Sequence, residues 1–182
     1  MSAPPSDESA LLTRARELDS RALAEIHDRY YPEMYRYALY RTGDQTVAED
    51  IASEVFLRLL DGLHAGRAPQ TTLRGWLFGV ASHLVADHFR RAPRENMPLA
   101  ESLIANGSPA AEAEEHLRQD RVRAAIRRLT AEQQEVLALR FGDGFSVEQT
   151  AAALAKSVTA VKSLQFRALD TLRRWLAEVT HD

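Results

Sequence analysis

The stretch SVEQTAAALAKSVTAVKSLQFRALDTLRR, residues 146–174, decides the fold class. It divides into two amphipathic helices with a break near Lys156. A helix-turn-helix break needs a residue that tolerates positive φ, usually Gly, and here the position falls on Ala155. In the first helix, Ala151 is small enough to let the second approach closely. In the second, Val161 and Leu164 lie one turn apart and face inward, and the stripe continues through Ala168, Leu172 and Trp175. The opposite face carries Thr159, Lys162, Ser163, Phe166 and Arg167, and Ser157 is placed to cap it. An apolar seam inside with short polar and basic side chains outside is the layout of a recognition helix. A non-Gly residue in the left-handed region costs roughly 1 kcal/mol, which a packed domain can absorb. A plain helical hairpin would show the same two periods.

Outward from this stretch the signals are helical. Three capping boxes mark helix starts: Thr46 with Glu49, Thr130 with Gln133 and Ser146 with Gln149. In each, the hydroxyl accepts from the third helical N–H while the Glu or Gln side chain reaches back. Ser108-Pro109 offers a fourth start, with Glu112, Glu114 and Glu115 near the positive end of the helix dipole. The predicted helices span 10–17, 20–41, 46–61, 72–91, 109–128, 131–141, 147–154 and 158–177. No sustained apolar/polar alternation predicts a strand. Residues 1–9 read as a short disordered tail. Residues 92–108, with two prolines and an Asn-Gly and a third proline just after them at 109, read as a linker. Alternatively they form an ordered loop packed through Leu99, Leu103 and Ile104. The prediction is all-α: a helical domain over 10–91, the linker, and a second helical domain over 109–182 containing the helix-turn-helix.

Composition narrows the class. Hydrophobic residues make up 45% of the 182 and charged residues 27%, as in ordinary globular proteins. There is no cysteine, which removes disulfides and thiolate metal sites and fits a reducing cytosol. No apolar run approaches the roughly 20 residues of a membrane span. The formal net charge of −3 hides a pattern of alternating blocks. Residues 73–94 and 121–182 are each net basic, while 1–72 and 95–120 are net acidic. Local sign governs how a polyanion is steered, more than the total does.

The first basic block is a helix, LRGWLFGVASHLVADHFRR, residues 73–91. Trp76, Leu77, Val80 and Leu84 form its predicted apolar stripe. Arg74, His83, His88, Arg90 and Arg91 are polar or cationic positions along it, and Arg94 follows. Two basic helical surfaces, one in each domain, could grip two places on one DNA.

At this point the chain resembles a family. From about residue 20 to 177 it is similar to bacterial RNA polymerase sigma factors of the extracytoplasmic-function group. AEDIASEVFLRLL (48–60) resembles the core-binding helix of region two. RGWLFGVASHLVADHFRR (74–91) resembles the helix that meets the minus-ten promoter element. LTAEQQEVLALRFGDGFSVEQTAAALAKSVTAVKSLQFRAL (129–169) resembles region four, which meets the minus-thirty-five element.

The resemblance implies roles. Asp50, Ser53, Glu54, Phe56 and Arg58 would lie on the helix that docks on the polymerase. The loop 62–72 would capture a flipped base, with Gly62, His64, Arg67, Gln70 and Thr71 as its candidate residues. Arg74, His83, Asp87, Arg90 and Arg91 would meet minus-ten DNA. Ser157, Thr159, Lys162, Ser163, Phe166 and Arg167 would meet the minus-thirty-five groove. It further implies core RNA polymerase, promoter DNA and an anti-sigma factor as partners, a cytoplasmic location, and neither cofactor nor metal.

There are departures: Ser53 stands where the family often has Gln, and His83 where it often has Asn. Ser163-Leu164-Gln165 stands where it often reads Ser-Arg-Leu, which bears on promoter sequence rather than fold. A stand-alone helix-turn-helix regulator is the alternative, and would bind a palindrome as a dimer without polymerase. An enzyme is disfavoured. His83 with Asp87 and Glu112 with His116 offer too few ligands for a catalytic metal, and no Gly-rich phosphate loop is present.

Overall fold

The computed structural model describes residues 5–67, 69, 72–91, 122 and 124–179. The predicted linker, the Ser108-Pro109 start and most of the predicted 109–128 helix lie outside the described residues. Every regular element among the described residues is a helix. They fall into two compact units, residues 1–100 together with 152–154, and residues 101–151 together with 155–182.

The first unit holds four helices: α1 (Pro5–Arg16), α2 (Ser20–Thr42), α3 (Gln45–His64) and α4 (Leu73–Arg91). Helix α1 starts at Pro5, inside the stretch expected to be a disordered tail. Pro suits a first helical position, where no N–H is needed, and Leu11, Leu12 and Ala15 are buried. Asp19 caps α2 by accepting from the Arg21 N–H at 2.9 Å. That backbone bond, and then Arg14, hold the Asp19 carboxyl below the ordinary carboxylate range. Its contribution is therefore present above the ordinary value and lost as pH falls through the depressed one.

Two chain reversals use left-handed residues. Leu18 (φ 58°) follows α1, and the Asp19 N–H returns to the Arg14 carbonyl at 3.2 Å. Gly43 (φ 70°) ends α2. The predicted capping box at Thr46 does not form. Asp44 caps α3 instead, accepting from the Val47 N–H at 3.0 Å. With α2 ending at Thr42 and Gly43 making the turn, Asp44 reaches the N-cap position first.

The core of this unit is Ile26, Met34, Val55, Leu59, Leu73, Leu77, Phe78 and Val85, each at most 2% exposed. It corrects the stripe predicted for α4. Leu77 is buried, but the inward face is Leu73, Phe78, Ala81, Ser82 and Val85, while Trp76, Val80 and Leu84 are only partly covered. Apolar residues occur nearly all round this helix, so periodicity alone did not select the face.

The start of α4 is capped from two places. Thr72 Oγ1 accepts from the Gly75 N–H at 3.1 Å, and Glu8 from α1 accepts the Leu73 N–H at 2.5 Å. Glu8 also receives the Tyr30 hydroxyl at 3.2 Å. Burial, and then Glu8, push the Tyr30 phenol up to about 12, so it stays a donor. Glu8→Ala strands both donors and should cost about 1–2 kcal/mol, read as a lower urea midpoint. No change would mean that α1 does not hold α4 in solution.

The second unit contains a short helical stretch including residues 124–126, then α5 (Ala131–Leu137), a π turn (Ala138–Gly142), most of α6 (Val147–Ala153) and α7 (Val158–Val179). Thr130 and Gln133 form the predicted capping box. The expected single helix over 131–141 widens into the π turn at its end. Gln134 is buried and its amide donates to the carbonyls of Ile126 and Leu129, at 3.0 and 3.2 Å. Val136, Leu139, Phe145, Val161 and Ala168 are at most 2% exposed and form the core.

Candidate nucleic-acid interface

The turn between α6 and α7 has the geometry the sequence predicts. Ser146 and Gln149 close the capping box of α6, with bonds of 3.1 and 2.8 Å. At its other end Ala155 has φ 50°, and the Lys156 N–H reaches back to the Ala151 carbonyl at 2.9 Å. That six-to-one bond across a left-handed residue is a Schellman closure. Ser157 then caps α7 by accepting the Ala160 N–H at 3.1 Å. Ala155→Gly should be neutral or stabilising by up to about 1 kcal/mol, since Gly carries no Cβ penalty there. A thermal melt would check it, and a larger loss would show that Ala155 is not left-handed in solution.

This turn sets the two faces of α7. Val161, Leu164 and Ala168 are buried, while Thr159, Lys162, Ser163, Phe166 and Arg167 are exposed on the other side, with Ser157 exposed at its start. Arg167 donates to the Ser163 carbonyl and hydroxyl at 3.3 and 3.1 Å. The structure therefore brings together every residue singled out on this helix.

Gln165, one of the departures, has a partner that sequence reasoning missed. Arg140, on the π turn, donates to its amide oxygen at 3.0 Å and also to the Phe145 carbonyl. A polar side chain at the edge of the apolar seam is thus satisfied, and the bond ties α7 to the segment entering α6. The 25-residue separation leaves no local signal for it.

In the first unit the predicted residues divide. His83, Arg90 and Arg91 are exposed on α4, and Arg90 pairs with Asp87. Asp87, His88 and Arg91 line a shallow concavity with Leu84 and with Arg58 of α3. Arg74 is only partly exposed, paired with Glu33 at 2.8 Å, its guanidinium 5.1 Å from the Phe78 ring centre. It braces α4 on α2. His64 and Arg67 are exposed at the end of α3, His64 Nδ1 donating to the Leu60 carbonyl at 2.9 Å. Gln70 and Thr71 lie outside the described residues.

On α3, Asp50 and Ser53 are exposed, and Arg58 pairs with Glu54 at 3.0 Å. Phe56, given a polymerase-binding role by the resemblance, lies largely beneath the surface of α3. It is 8% exposed and its ring lies 5.0 Å from His27 and 6.1 Å from Tyr31. The apolar residue this helix presents outward is its neighbour Leu57, 56% exposed. Leu57 lies seven residues from Asp50 and so shares its face, a signal the sequence did contain.

Among the described residues no cluster of three or more His, Cys, Asp or Glu could hold a metal ion. None of the described helices is long and apolar enough to cross a membrane.

Comparison with known proteins agrees with this geometry. Residues 26–95 match Sigma-70 region 2, and residues 125–174 match Sigma-70, region 4. The chain is 38% identical over 172 residues to the ECF RNA polymerase sigma factor BldN of Streptomyces coelicolor, covering 92% of this chain. It spans 65% of the length of that relative. It is 30% identical over 159 residues to the ECF RNA polymerase sigma factor SigX of Bacillus subtilis, covering 82% of this chain and 80% of that protein. The fold resembles the sigma factor RpoE of Bartonella quintana, solved in complex with the anti-sigma factor NepR. The TM-score is 0.64 at 20% identity, covering 85% of this chain and 96% of that one.

Proposed function

The chain belongs to the sigma-70 family, in its extracytoplasmic-function group, and from that premise we propose that it binds core RNA polymerase and directs it to promoters. It recognises minus-ten and minus-thirty-five elements and assists DNA melting. It is not an enzyme: its chemistry is recognition, and the bond-making belongs to the polymerase.

The observation that carries this reading is the built face of α7. A left-handed turn at Ala155 sets a helix with a buried seam and an outer row of Thr159, Lys162, Ser163, Phe166 and Arg167. A helix of that kind enters the major groove and reads base edges. In the first unit, His83, Asp87, Arg90 and Arg91 are assigned to minus-ten DNA, and His64, Arg67, Gln70 and Thr71 to the flipped base. Asp50, Ser53, Glu54 and Leu57 are assigned to the polymerase, with Arg58 at the border between the two surfaces. Phe56 and Arg74 act behind these surfaces by fixing α3 and α4.

The acidic total follows from the same role. A subunit that meets DNA only on polymerase needs few phosphate-neutralising cations of its own. The protein acts in the cytoplasm, and an anti-sigma factor is its proposed antagonist.

The test is purification of the tagged chain with core polymerase, then duplex binding with and without that core. Stoichiometric core and core-dependent binding support the reading. Tight duplex binding without core association would show a stand-alone regulator.

A further inference from the structure

We infer that Glu8 is a positioning residue for promoter melting: it fixes where α4 begins relative to the end of α3, and so aligns the two halves of the proposed base-capturing site. This rests on the sigma-factor reading above. Helix α1 precedes residue 26, where the match to Sigma-70 region 2 begins. Glu8 stands on the inward face of α1. Leu11, Leu12 and Ala15 follow it by three, four and seven residues, and all three are buried. A carboxylate on that face has definite targets. Glu8 Oε1 accepts the Leu73 N–H at 2.5 Å, and Oε2 accepts the Tyr30 hydroxyl at 3.2 Å. Leu73 is the first residue of α4 and has no exposed surface, so water does not replace the carboxylate at its N–H.

The two halves of the site are held differently. His64 and Arg67, assigned to the flipped base, are placed by α3 itself. Gly66 is left-handed, with φ 67°, and the Arg67 N–H returns to the Gly62 carbonyl at 2.7 Å. A Cβ at Gly62 would lie 3.1 Å from the Arg67 carbonyl oxygen, so this closure is already tight. His83, Asp87, Arg90 and Arg91 instead take their places from wherever α4 starts. Apolar residues run nearly all round that helix, so packing alone sets its rotation and axial position loosely. The Thr72 bond to the Gly75 N–H is local and travels with the helix. The Arg74–Glu33 pair reaches α2, but through two long side chains. Glu8 grips the α4 backbone from another element, 65 residues away. Site geometry must hold to roughly 0.5 Å, and a backbone bond supplies that where side-chain packing does not.

The experiment uses holoenzyme assembled from core polymerase and the full chain. The probe is a promoter duplex that the wild-type holoenzyme selects from a randomised library. Each adenine across its minus-ten element, on either strand, is replaced in turn by 2-aminopurine, whose fluorescence rises when the base leaves the stack. Glu8→Ala should slow that rise roughly three- to tenfold, the worth of about one helix cap. Core association, and binding to a duplex carrying only the minus-thirty-five element, should not change. Glu8→Gln keeps an acceptor at the right reach and should recover most of the loss. Glu8→Asp keeps the charge but is one methylene short, and should share the defect. Should Glu8→Ala fail to fold, this Gln and Asp pair carries the test. Tyr30→Phe removes only the other bond, so it should lower the thermal midpoint yet leave the fluorescence rise near the wild-type rate. A wild-type rise in Glu8→Ala would overturn the proposal. So would a defect in Glu8→Gln with none in Glu8→Asp, which would make charge the cause. A Tyr30→Phe defect as deep as that of Glu8→Ala, or a matching loss of core association, would reduce Glu8 to a stabilising contact. A wild-type chain that recovers no core and selects no duplex fails the sigma-factor reading first, and the proposal falls with it.

Discussion

Phe78→Ala should cost the first unit about 3–5 kcal/mol, the largest single loss expected in the chain. Phe78 is fully buried on α4 and meets the Tyr37 ring edge-on at 5.4 Å. Its outer side lies under the Arg74 guanidinium, which is itself bonded to Glu33 of α2. Truncation therefore opens a cavity between α2 and α4 and removes the surface on which the Arg74–Glu33 pair rests. A small domain has only about 5–15 kcal/mol in total, so the loss takes a large share. The chain has two tryptophans, Trp76 in this unit and Trp175 in the other. In a Trp175→Phe background Trp76 reports the first unit alone, and its urea midpoint should fall by a molar unit or more. Core association should fall with it, because α3 and α4 carry the surfaces proposed for polymerase and minus-ten DNA. A loss under about 1 kcal/mol would mean that the ring is not packed as described.

What the sequence made legible was what is encoded locally. Thr130, Ser146 and Ser157 cap helices because their oxygens need only an N–H three residues on. Ala155 is legible because the Ser157 cap and the seam on either side leave one place for the turn. Leu18 makes the same kind of turn with no local signal for it, since nothing in a leucine marks positive φ. Competition defeated the reading at Thr46, where Asp44 stood closer to the preceding Gly. Tertiary choice defeated it at Phe56 and Leu57. The two are adjacent and apolar, and only the His27 and Tyr31 rings decide which one turns in. Contacts across long stretches were invisible for the same reason. Glu8 lies 65 residues from the N–H it caps, and Arg140 lies 25 from Gln165. The motif order and the fold class were legible, while the bracing of the functional surfaces was not.

That bracing bears on the second large effect. Lys162→Ala and Arg167→Ala should each leave core association intact and weaken promoter binding, but in different ways. Lys162 is exposed among the described residues, near the N-terminal end of α7, and projects a flexible point charge. As a phosphate contact its loss should weaken all sequences about equally and lower the salt slope of log K by about 1. Arg167 is held against Ser163, so its fork is partly oriented before DNA arrives. If it addresses a base edge, its loss should cost about 1–3 kcal/mol and relax selection at one position. The Arg140–Gln165 bond should set the register of this whole face, since it ties α7 to the turn before α6. Binding titrations of holoenzyme at three or more salt concentrations, on selected and scrambled duplexes, separate the two roles. A uniform loss with a smaller slope for both variants would make Arg167 a second phosphate contact. No change for either would remove α7 from the groove, and with it the observation on which the promoter-reading role rests.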